Sequence, residues 1–265
     1  MINQPILRNM ICLCLFAFLL IFTQTDNYIL LAILGISAIV LFYLSDKQVR
    51  FFIITIASFG IGFFLYLQAI STSTLDAQSK ELTIFLKRLS LLFIILPLVL
   101  VSFFNKLPFI QYWKKPKWNE MVSFPLMWSG FHQTKIKHFL LIAITINILS
   151  FAPFMVVKGW GYFQEVWLIA LIFPFTNAIL EELIWRGVLL SRFSEQFGDK
   201  WAVVITSLGF GLQHYSLGFS WGLCIAFATG GFFYGALTIK SGSIFPTIIW
   251  HIALNILMVF GGMIV

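Results

Sequence analysis

The chain has 265 residues, of which 60% are hydrophobic and only 10% are charged. An ordinary soluble domain carries about 25% charged residues, so this composition predicts an integral membrane protein. All three cysteines lie within apolar segments, which excludes a disulfide-stapled secreted domain, and the composition equally excludes a disordered or collagenous chain. Long apolar runs, rather than alternating segments of about ten residues, predict an all-α polytopic transmembrane helix bundle.

Apolar runs that approach or exceed about 18 residues predict helices that cross the bilayer. Such runs predict about nine spans, and no small-residue cleavage site follows the first, which is therefore expected to be retained. In chain order the predicted spans are Met10–Phe22, Tyr28–Leu44, Phe51–Ile70, Leu89–Phe104, His138–Val157, Val166–Leu190, Trp201–Leu217, Phe219–Ile239 and Ile244–Val265. The chain thus divides into N-terminal transmembrane helices at 1–104, a connector at 105–137 and a C-terminal transmembrane core at 138–265.

The connector at 105–137 combines lysines with tryptophans around two prolines. Basic residues interleaved with aromatic residues beside a bilayer are typical of a segment that lies at the level of the lipid headgroups. We therefore predict an interfacial, cytoplasmic segment rather than a lipid-specific or substrate-docking element. The residues concerned are Lys114, Lys115, Lys117, Trp113, Trp118, Trp128, Pro116 and Pro125.

The net charge of +7 indicates membrane orientation rather than nucleic-acid binding, because basic residues in membrane proteins concentrate on the cytoplasmic side. With nine alternating spans, twelve bases fall on one side of the membrane and four on the other. We therefore predict a multi-pass protein of the plasma membrane with a cytoplasmic N-terminus and no nucleic-acid partner. The twelve are Arg8, Lys47, Arg50, Lys106, Lys114, Lys115, Lys117, Lys135, Lys137, Arg192, Lys200 and Lys240, and the four are Lys80, Lys87, Arg88 and Lys158.

Polar residues inside the predicted spans are the most informative feature of the sequence. A charge costs about 2.5 to 3.5 kcal/mol at the centre of a membrane helix, so it is retained for a reason. Three short segments carry these residues: EELIWRG at Glu181–Gly187, FGLQH at Phe210–His214 and HIALN at His251–Asn255. Each segment contains two residues that are four positions apart and share one helix face. These pairs are Glu182 with Arg186, Phe210 with His214, and His251 with Asn255.

The predicted topology places these polar residues at similar depth. With a rise of about 1.5 Å per residue, Glu181 and His214 each lie roughly 15 to 20 Å from the cytoplasmic end of their helices. On the same basis His251 and Asn255 lie at roughly 10 and 17 Å. We therefore expect a carboxylate, two imidazoles and an amide to share one layer of the membrane.

The two adjacent acids are predicted to differ in role. Arg186, four residues after Glu182, neutralises that carboxylate and allows the helix to insert. Glu181 has no obvious basic partner on its own helix and is the better candidate for a general base. His214 alone would more often be a packing residue, but a second intramembrane histidine and an acid favour function.

This set of residues suits the hydrolysis of an acyl bond by water. A carboxylate takes a proton from the water, an imidazole orients the water, and fixed donors receive the oxyanion. Serine chemistry has weaker support, because Ser207 precedes His214 by two helical turns and no carboxylate orients the imidazole. A zinc site made of glutamate and two histidines stays an alternative, but the HExxH spacing is absent, so we predict neither a metal nor another cofactor.

The motifs EExxxR, FxxxH and HxxxN on successive helices resemble those of the CAAX protease and bacteriocin-processing enzyme family. These are intramembrane glutamic endopeptidases, and they include the type II CAAX prenyl endopeptidases. The resemblance covers roughly residues 166–265. It implies that Glu181 is the base, that His214 shares the water, and that His251 and Asn255 contribute to the oxyanion site. Supporting roles are implied for Glu182, Arg186 and Phe210, and Trp185 stands where the family commonly has Phe or Tyr, a change that concerns packing rather than chemistry.

We therefore predict an intramembrane endopeptidase that hydrolyses a peptide bond of a membrane-associated protein or peptide, with the lipid bilayer as its surroundings. One alternative is a non-catalytic membrane scaffold or bacteriocin-immunity protein, which would tolerate loss of these residues. Another is a proton-coupled transporter, which would use the same acids and histidines as a relay. Transporters commonly show repeated halves, whereas the intramembrane polar residues here occupy only the second half.

Small residues predict where helices approach closely. Glycines spaced four apart allow two helix backbones to come together in a membrane. The sequence contains two such pairs in its last third, Gly218 with Gly222 and Gly231 with Gly235. We interpret both pairs as packing positions.

Overall fold

The computed structural model describes residues 5–264. Residues 1–4 of the predicted N-terminal segment, and Val265 at the end of the predicted last span, lie outside this part. Helices make up most of the described chain, and a single two-stranded hairpin is the only sheet within it, which confirms the all-α membrane bundle. Within residues 5–264, five helices are long and apolar enough to cross a bilayer and two further apolar helices are shorter. The exact number of spans stays a prediction.

Helices of the first half follow the predicted spans closely. Asn27 caps α2 by accepting a hydrogen bond from the Leu30 amide at 3.2 Å, and Ser79 caps α4 in the same way. The span predicted at Leu89–Phe104 is preceded by a separate amphipathic helix, so that one helix ends at Leu89 and the next begins at Leu92. The helices are α1 (Pro5–Gln24), α2 (Tyr28–Leu44), α3 (Lys47–Ser71), α4 (Lys80–Leu89) and α5 (Leu92–Phe104).

The connector contains a β-hairpin that the sequence did not predict. Strands β1 (Met121–Pro125) and β2 (Gly130–Lys135) pair antiparallel, with Met121 opposite Lys135. Val122 and Met127 are buried and anchor the hairpin. The connector is also tied to the turn before the last helix, because the Ile244 amide donates to the Tyr112 carbonyl at 3.1 Å.

The second half begins with the long helix α6 (Ile136–Glu182), which is broken at Gly159. The backbone there has φ 76° and ψ 173°, which glycine adopts without the steric cost of a side chain. The span predicted at His138–Val157 therefore lies in the first arm of α6, whereas the span predicted at Val166–Leu190 begins in the second arm and continues beyond the end of α6 at Glu182. A π-helical turn (Leu183–Leu189) follows, and then α7 (Leu190–Phe197), α8 (Asp199–Gln213), a 3₁₀ turn (His214–Leu217), α9 (Trp221–Ser241) and α10 (Phe245–Phe260).

The chain forms two compact units. The first comprises 5–71, Leu92–Gln111 and Ile184–Ala236. Aromatic rings fill its interior: the Phe16 ring centroid lies 5.4 Å from that of Phe59 and 5.6 Å from that of Phe193. These contacts join α1, α3 and α7.

The second unit comprises Thr72–Leu91, Tyr112–Leu183 and 237–264. Its core lies between α6 and α10, where Ile169 and Phe173 of α6 are buried in one cluster with Val259 of α10. Burial of apolar surface along this seam holds the two helices side by side. The last turn of α6 and the middle of α10 are thereby fixed relative to each other.

The two predicted glycine pairs differ in the structure: one pair packs against a neighbouring helix and the other does not. A Cβ atom added at Gly231 would lie 3.1 Å from the Cα of Ser207, and one at Gly235 would lie 3.2 Å from a methyl group of Val203. This pair therefore allows α9 to approach α8, as predicted. The prediction is wrong for Gly218 and Gly222: Gly218 adopts φ 87° in a turn with open space around it, and Gly222 has no close neighbour from another helix.

Candidate active site

The last two residues of helix α6, Glu181 and Glu182, both contact the imidazole of His251. Glu181 and Glu182 are 2% and 0% exposed, and His251 of α10 is 4% exposed. Nδ1 of His251 lies 2.9 Å from Oε1 of Glu182, and Nε2 lies 3.6 Å from Oε2 of Glu181. The packing between α6 and α10 thus brings residues 69 positions apart into direct contact.

The contact with Glu182 sets the orientation of the His251 ring. When Glu182 is ionised its carboxylate only accepts hydrogen bonds, and Nδ1 of His251 is then the donor of this 2.9 Å interaction. The ring then directs Nε2 to Glu181. Two buried carboxylates beside a single imidazole are expensive to keep in a membrane protein, which favours a chemical role over a packing role.

Asn255 lies one helical turn after His251 on the same face of α10. Its side chain is 4% exposed, and its Nδ2 has no hydrogen-bond partner among residues 5–264. A buried donor left without an acceptor costs about 1 to 3 kcal/mol. This amide is therefore a donor that a substrate oxygen would satisfy.

His214 lies in the first unit, where α8 passes into the 3₁₀ turn. Its side chain is buried, and Nδ1 lies 2.7 Å from the carbonyl oxygen of Phe210. A carbonyl oxygen only accepts, so Nδ1 donates and the neutral ring carries its lone pair on Nε2. The spacing of the FxxxH motif matters here because a backbone carbonyl four residues earlier lies within reach of the imidazole.

Arg186, in the π-helical turn, is buried in the first unit. Its Nη2 donates to the Gly231 carbonyl at 3.2 Å. The guanidinium carbon lies 4.3 Å from the ring centroid of Phe210 and 5.1 Å from that of Tyr234, so the cation is held over two aromatic faces. These contacts connect the π-helical turn with α8 and α9.

The predicted site residues fall into two groups. Glu181, Glu182, His251 and Asn255 belong to the second unit, in which α6 and α10 bring the first three into contact. The pairs Phe210 with His214 and Phe210 with Arg186 are formed in the first unit. The common depth of Glu181 and His214, and the pairing of Glu182 with Arg186, stay predictions.

One neighbour of His214 carries no signal in the sequence. The ring of Phe227 on α9 stacks on the imidazole with centroids 3.9 Å apart. A phenylalanine in an apolar helix matches no motif, and only the fold shows which residue it faces.

Within residues 5–264, no group of three or more His, Cys, Asp or Glu side chains has an arrangement that could hold a metal ion.

Comparison with known proteins identifies the part of the chain that carries the motifs. Residues 163–257 match the profile of a family described as "Type II CAAX prenyl endopeptidase Rce1-like". This match spans all three motifs and confirms the resemblance that they predicted for this part of the chain. No curated protein and no solved structure matches the chain.

The family and the apolar helices together indicate an integral membrane protein. The family also supports a CAAX-type intramembrane protease in general, which is a hydrolase acting on a protein substrate in the membrane. Residues 163–257, which carry all three motifs, thus match the Rce1-like family of type II CAAX prenyl endopeptidases.

Proposed function

We propose that this protein is an intramembrane endopeptidase in which Glu181 activates a water molecule to hydrolyse a peptide bond of a membrane-associated protein or peptide. One observation carries the proposal. Glu181 and Glu182 are buried at the end of α6, and His251 of α10 contacts both of them. Such a cluster within apolar helices has the chemistry of a general base with an oriented imidazole.

In the proposed reaction, Glu181 takes a proton from water while the water oxygen bonds to the carbonyl carbon of the scissile peptide. When the carbon–nitrogen bond breaks, the same proton passes to the leaving nitrogen. One water is consumed, and the products are a carboxylic acid and an amine. The Glu181 carboxylate is regenerated for the next turnover.

Glu182 acts through His251. Its carboxylate accepts the Nδ1 proton at 2.9 Å and holds the ring so that Nε2 lies 3.6 Å from Glu181. Nε2 thereby stays beside the Glu181 carboxylate, which in its ionised form accepts a proton from water. This arrangement follows the logic of a catalytic triad, in which a buried carboxylate orients a histidine.

Asn255 is the proposed main donor to the oxyanion, and Nε2 of His251 is the second donor once it carries a proton, because Glu182 already occupies Nδ1. The buried Nδ2 of Asn255 has no acceptor within residues 5–264, and it lies on the α10 face that presents His251. Donors fixed in a water-excluded site stabilise developing negative charge more strongly than donors in water. Removal of one such donor costs about 10² to 10³ in kcat.

His214 has the role that the sequence motif gives it, which is to share the attacking water. In support, its Nδ1 proton is committed to the Phe210 carbonyl, so the lone pair lies on Nε2. Phe210 and Arg186 support this imidazole by packing.

The proposed function is tested by cleavage of a membrane-anchored reporter by the purified protein in proteoliposomes. The Glu181→Gln variant is the inactive comparison.

Chelators are expected to leave cleavage by the purified protein largely unchanged. A carboxylate and an imidazole activate water without a Lewis acid, so the proposed steps need no metal. The measurement is reporter cleavage with and without EDTA or phenanthroline. Stoichiometric zinc by elemental analysis, together with activity restored only by adding metal back, would contradict this mechanism.

We propose that the N-terminus lies in the cytoplasm, and cysteine labelling is expected to show it. After replacement of Cys12, Cys14 and Cys224, single cysteines are placed at the exposed positions Asn119 and Thr74. The positive-inside rule puts Asn119 in the cytoplasm and Thr74 outside. A membrane-impermeant thiol reagent should therefore label Asn119→Cys only in inside-out vesicles and Thr74→Cys only in intact cells. The reverse pattern would invert the topology.

A further inference from the structure

Aromatic rings enclose the imidazole of His214. The Phe227 ring lies almost parallel to it, with centroids 3.9 Å apart and planes inclined by 14°. Phe210 meets the imidazole edge-on at 4.9 Å, and Phe219 lies at 6.1 Å. In a close-packed interior, an imidazole stacked in this way cannot rotate about χ2 unless Phe227 moves.

Stacking on Phe227 holds the His214 imidazole in the plane in which Nδ1 donates its hydrogen bond to the Phe210 carbonyl. Within this plane Nδ1 reaches the Phe210 carbonyl, 2.7 Å away, in only one of the two ring orientations that are related by a 180° rotation about χ2, and Phe227 blocks the passage between them. Rotation of the ring by 180° would put a carbon atom against that oxygen. Because Nδ1 donates in the observed setting, the basic nitrogen of the neutral ring is Nε2.

Helix α9, which carries Phe227, packs closely against α8 immediately after this residue. One turn after Phe227, the Gly231 carbonyl accepts from Arg186 at 3.2 Å, and a Cβ at Gly231 would lie 3.1 Å from a Cα of α8. One residue after Phe227, Ala228 is so close to α8 that a Cβ at Gly211 would lie 2.6 Å from its methyl group. The backbone position of Phe227 is therefore fixed by the packing of α9 on α8.

We propose that Phe227 is a positioning residue that keeps His214 in the Nδ1–H tautomer, and that Arg186 contributes by fixing α9 behind Phe227. This inference rests on the proposed function, because it assigns the reason for the positioning to the basic Nε2 of His214. It also gives the arginine of the EExxxR motif a structural task in the first unit. Helix α9, which contains none of the three motifs, thereby becomes part of the catalytic apparatus.

The first test compares Phe227→Leu with Phe227→Tyr. Leucine removes the stacked ring, so kcat should fall about 10- to 100-fold, as for other small displacements of catalytic groups, while KM stays nearly constant. Tyrosine keeps the ring and should keep kcat close to the wild-type value. Phe232→Leu is the matched control, because it makes the same change on the same helix, and it should leave kcat unchanged.

The second test reads the tautomer directly and does not depend on catalysis. The full-length protein is labelled with ¹⁵N-histidine, and the His214 resonances are assigned by their loss in His214→Gln. Wild-type His214 should show the Nδ1–H form alone, whereas Phe227→Leu should show exchange between both tautomers. An Nε2–H form in the wild type, or a Phe227→Leu variant with unchanged tautomer and kcat, would overturn the proposal. If the wild type cleaves no reporter, the proposed function fails, while the tautomer spectra still decide the role of Phe227.

The link to Arg186 is tested by a double-mutant cycle. Arg186→Lys keeps the charge but loses the planar guanidinium that spans Phe210, Tyr234 and the Gly231 carbonyl. If Arg186 acts through Phe227, the double variant with Phe227→Leu should lose little more kcat than the worse single variant. Losses that multiply would mean that Arg186 acts by another route and would refute this part of the proposal.

Discussion

The Glu181→Gln variant is expected to abolish cleavage, with kcat lowered by about 10³-fold or more, while the protein accumulates in membranes at the wild-type level. Glutamine has nearly the same shape and still packs at the end of α6, but it cannot accept a proton from water. The effect should therefore fall on the chemical step and not on folding. The measurement is reporter cleavage in proteoliposomes together with the quantity of protein in the membrane fraction.

Two controls make this result specific. Glu165→Gln makes the same change at an exposed position of the same helix and should leave kcat unchanged. Glu182→Gln should lower kcat less than Glu181→Gln does, and it should also lower the protein level, because the carboxylate that holds the buried Nδ1 of His251 is lost. If Glu181→Gln turns over substrate like the wild type, the mechanism is wrong. If Glu182→Gln is the more severe variant in kcat, Glu182 is the base.

His214→Ala is expected to reduce kcat by about 10² to 10⁴, the range found for the loss of a residue that takes part in general acid–base catalysis. The imidazole offers a basic Nε2 because its Nδ1 proton is bound by the Phe210 carbonyl at 2.7 Å. Alanine supplies no acceptor for a water proton. The measurement is single-turnover cleavage of the same reporter, which separates the chemical step from substrate binding.

The control for His214 is His132→Ala, because His132 is exposed on strand β2 and lies in no motif. It should cleave like the wild type. His214→Gln adds a second comparison that keeps a polar side chain of similar size, and it should be as inactive as His214→Ala. Near-normal cleavage by either variant at position 214 would show that the imidazole has no part in the reaction.

Local sequence was a good guide to the helices and a poor guide to their interruptions. The helices at Tyr28–Leu44 and Leu92–Phe104 are visible in the sequence as apolar runs, because a helix suited to a bilayer is apolar over most of its length. The helix at Lys80–Leu89 and the hairpin in the connector are too short or too polar to give that signal. Contacts within the folded chain accompany both elements: Lys87 of the helix forms a salt bridge with Asp76 at 2.8 Å, and Val122 and Met127 of the hairpin are buried.

The glycine pairs show the same limit at the level of single residues. Gly231 with Gly235 and Gly218 with Gly222 have the same spacing in the sequence, yet only the first pair faces a neighbouring helix. Spacing states which residues share a face of one helix. It does not predict which neighbouring helix, if any, packs against that face.

The sequence by itself determined the class of protein, the positions of most helices and the identity of the three motifs. It could do so because hydrophobic length and i, i+4 spacing are local properties. Only the tertiary structure decided which groups meet: Glu182 with Nδ1 of His251, and His214 with the ring of Phe227. These contacts join residues 69 and 13 positions apart on different helices. The physical reason is that packing between helices depends on the shapes of both surfaces at once, and one helix carries only half of that information.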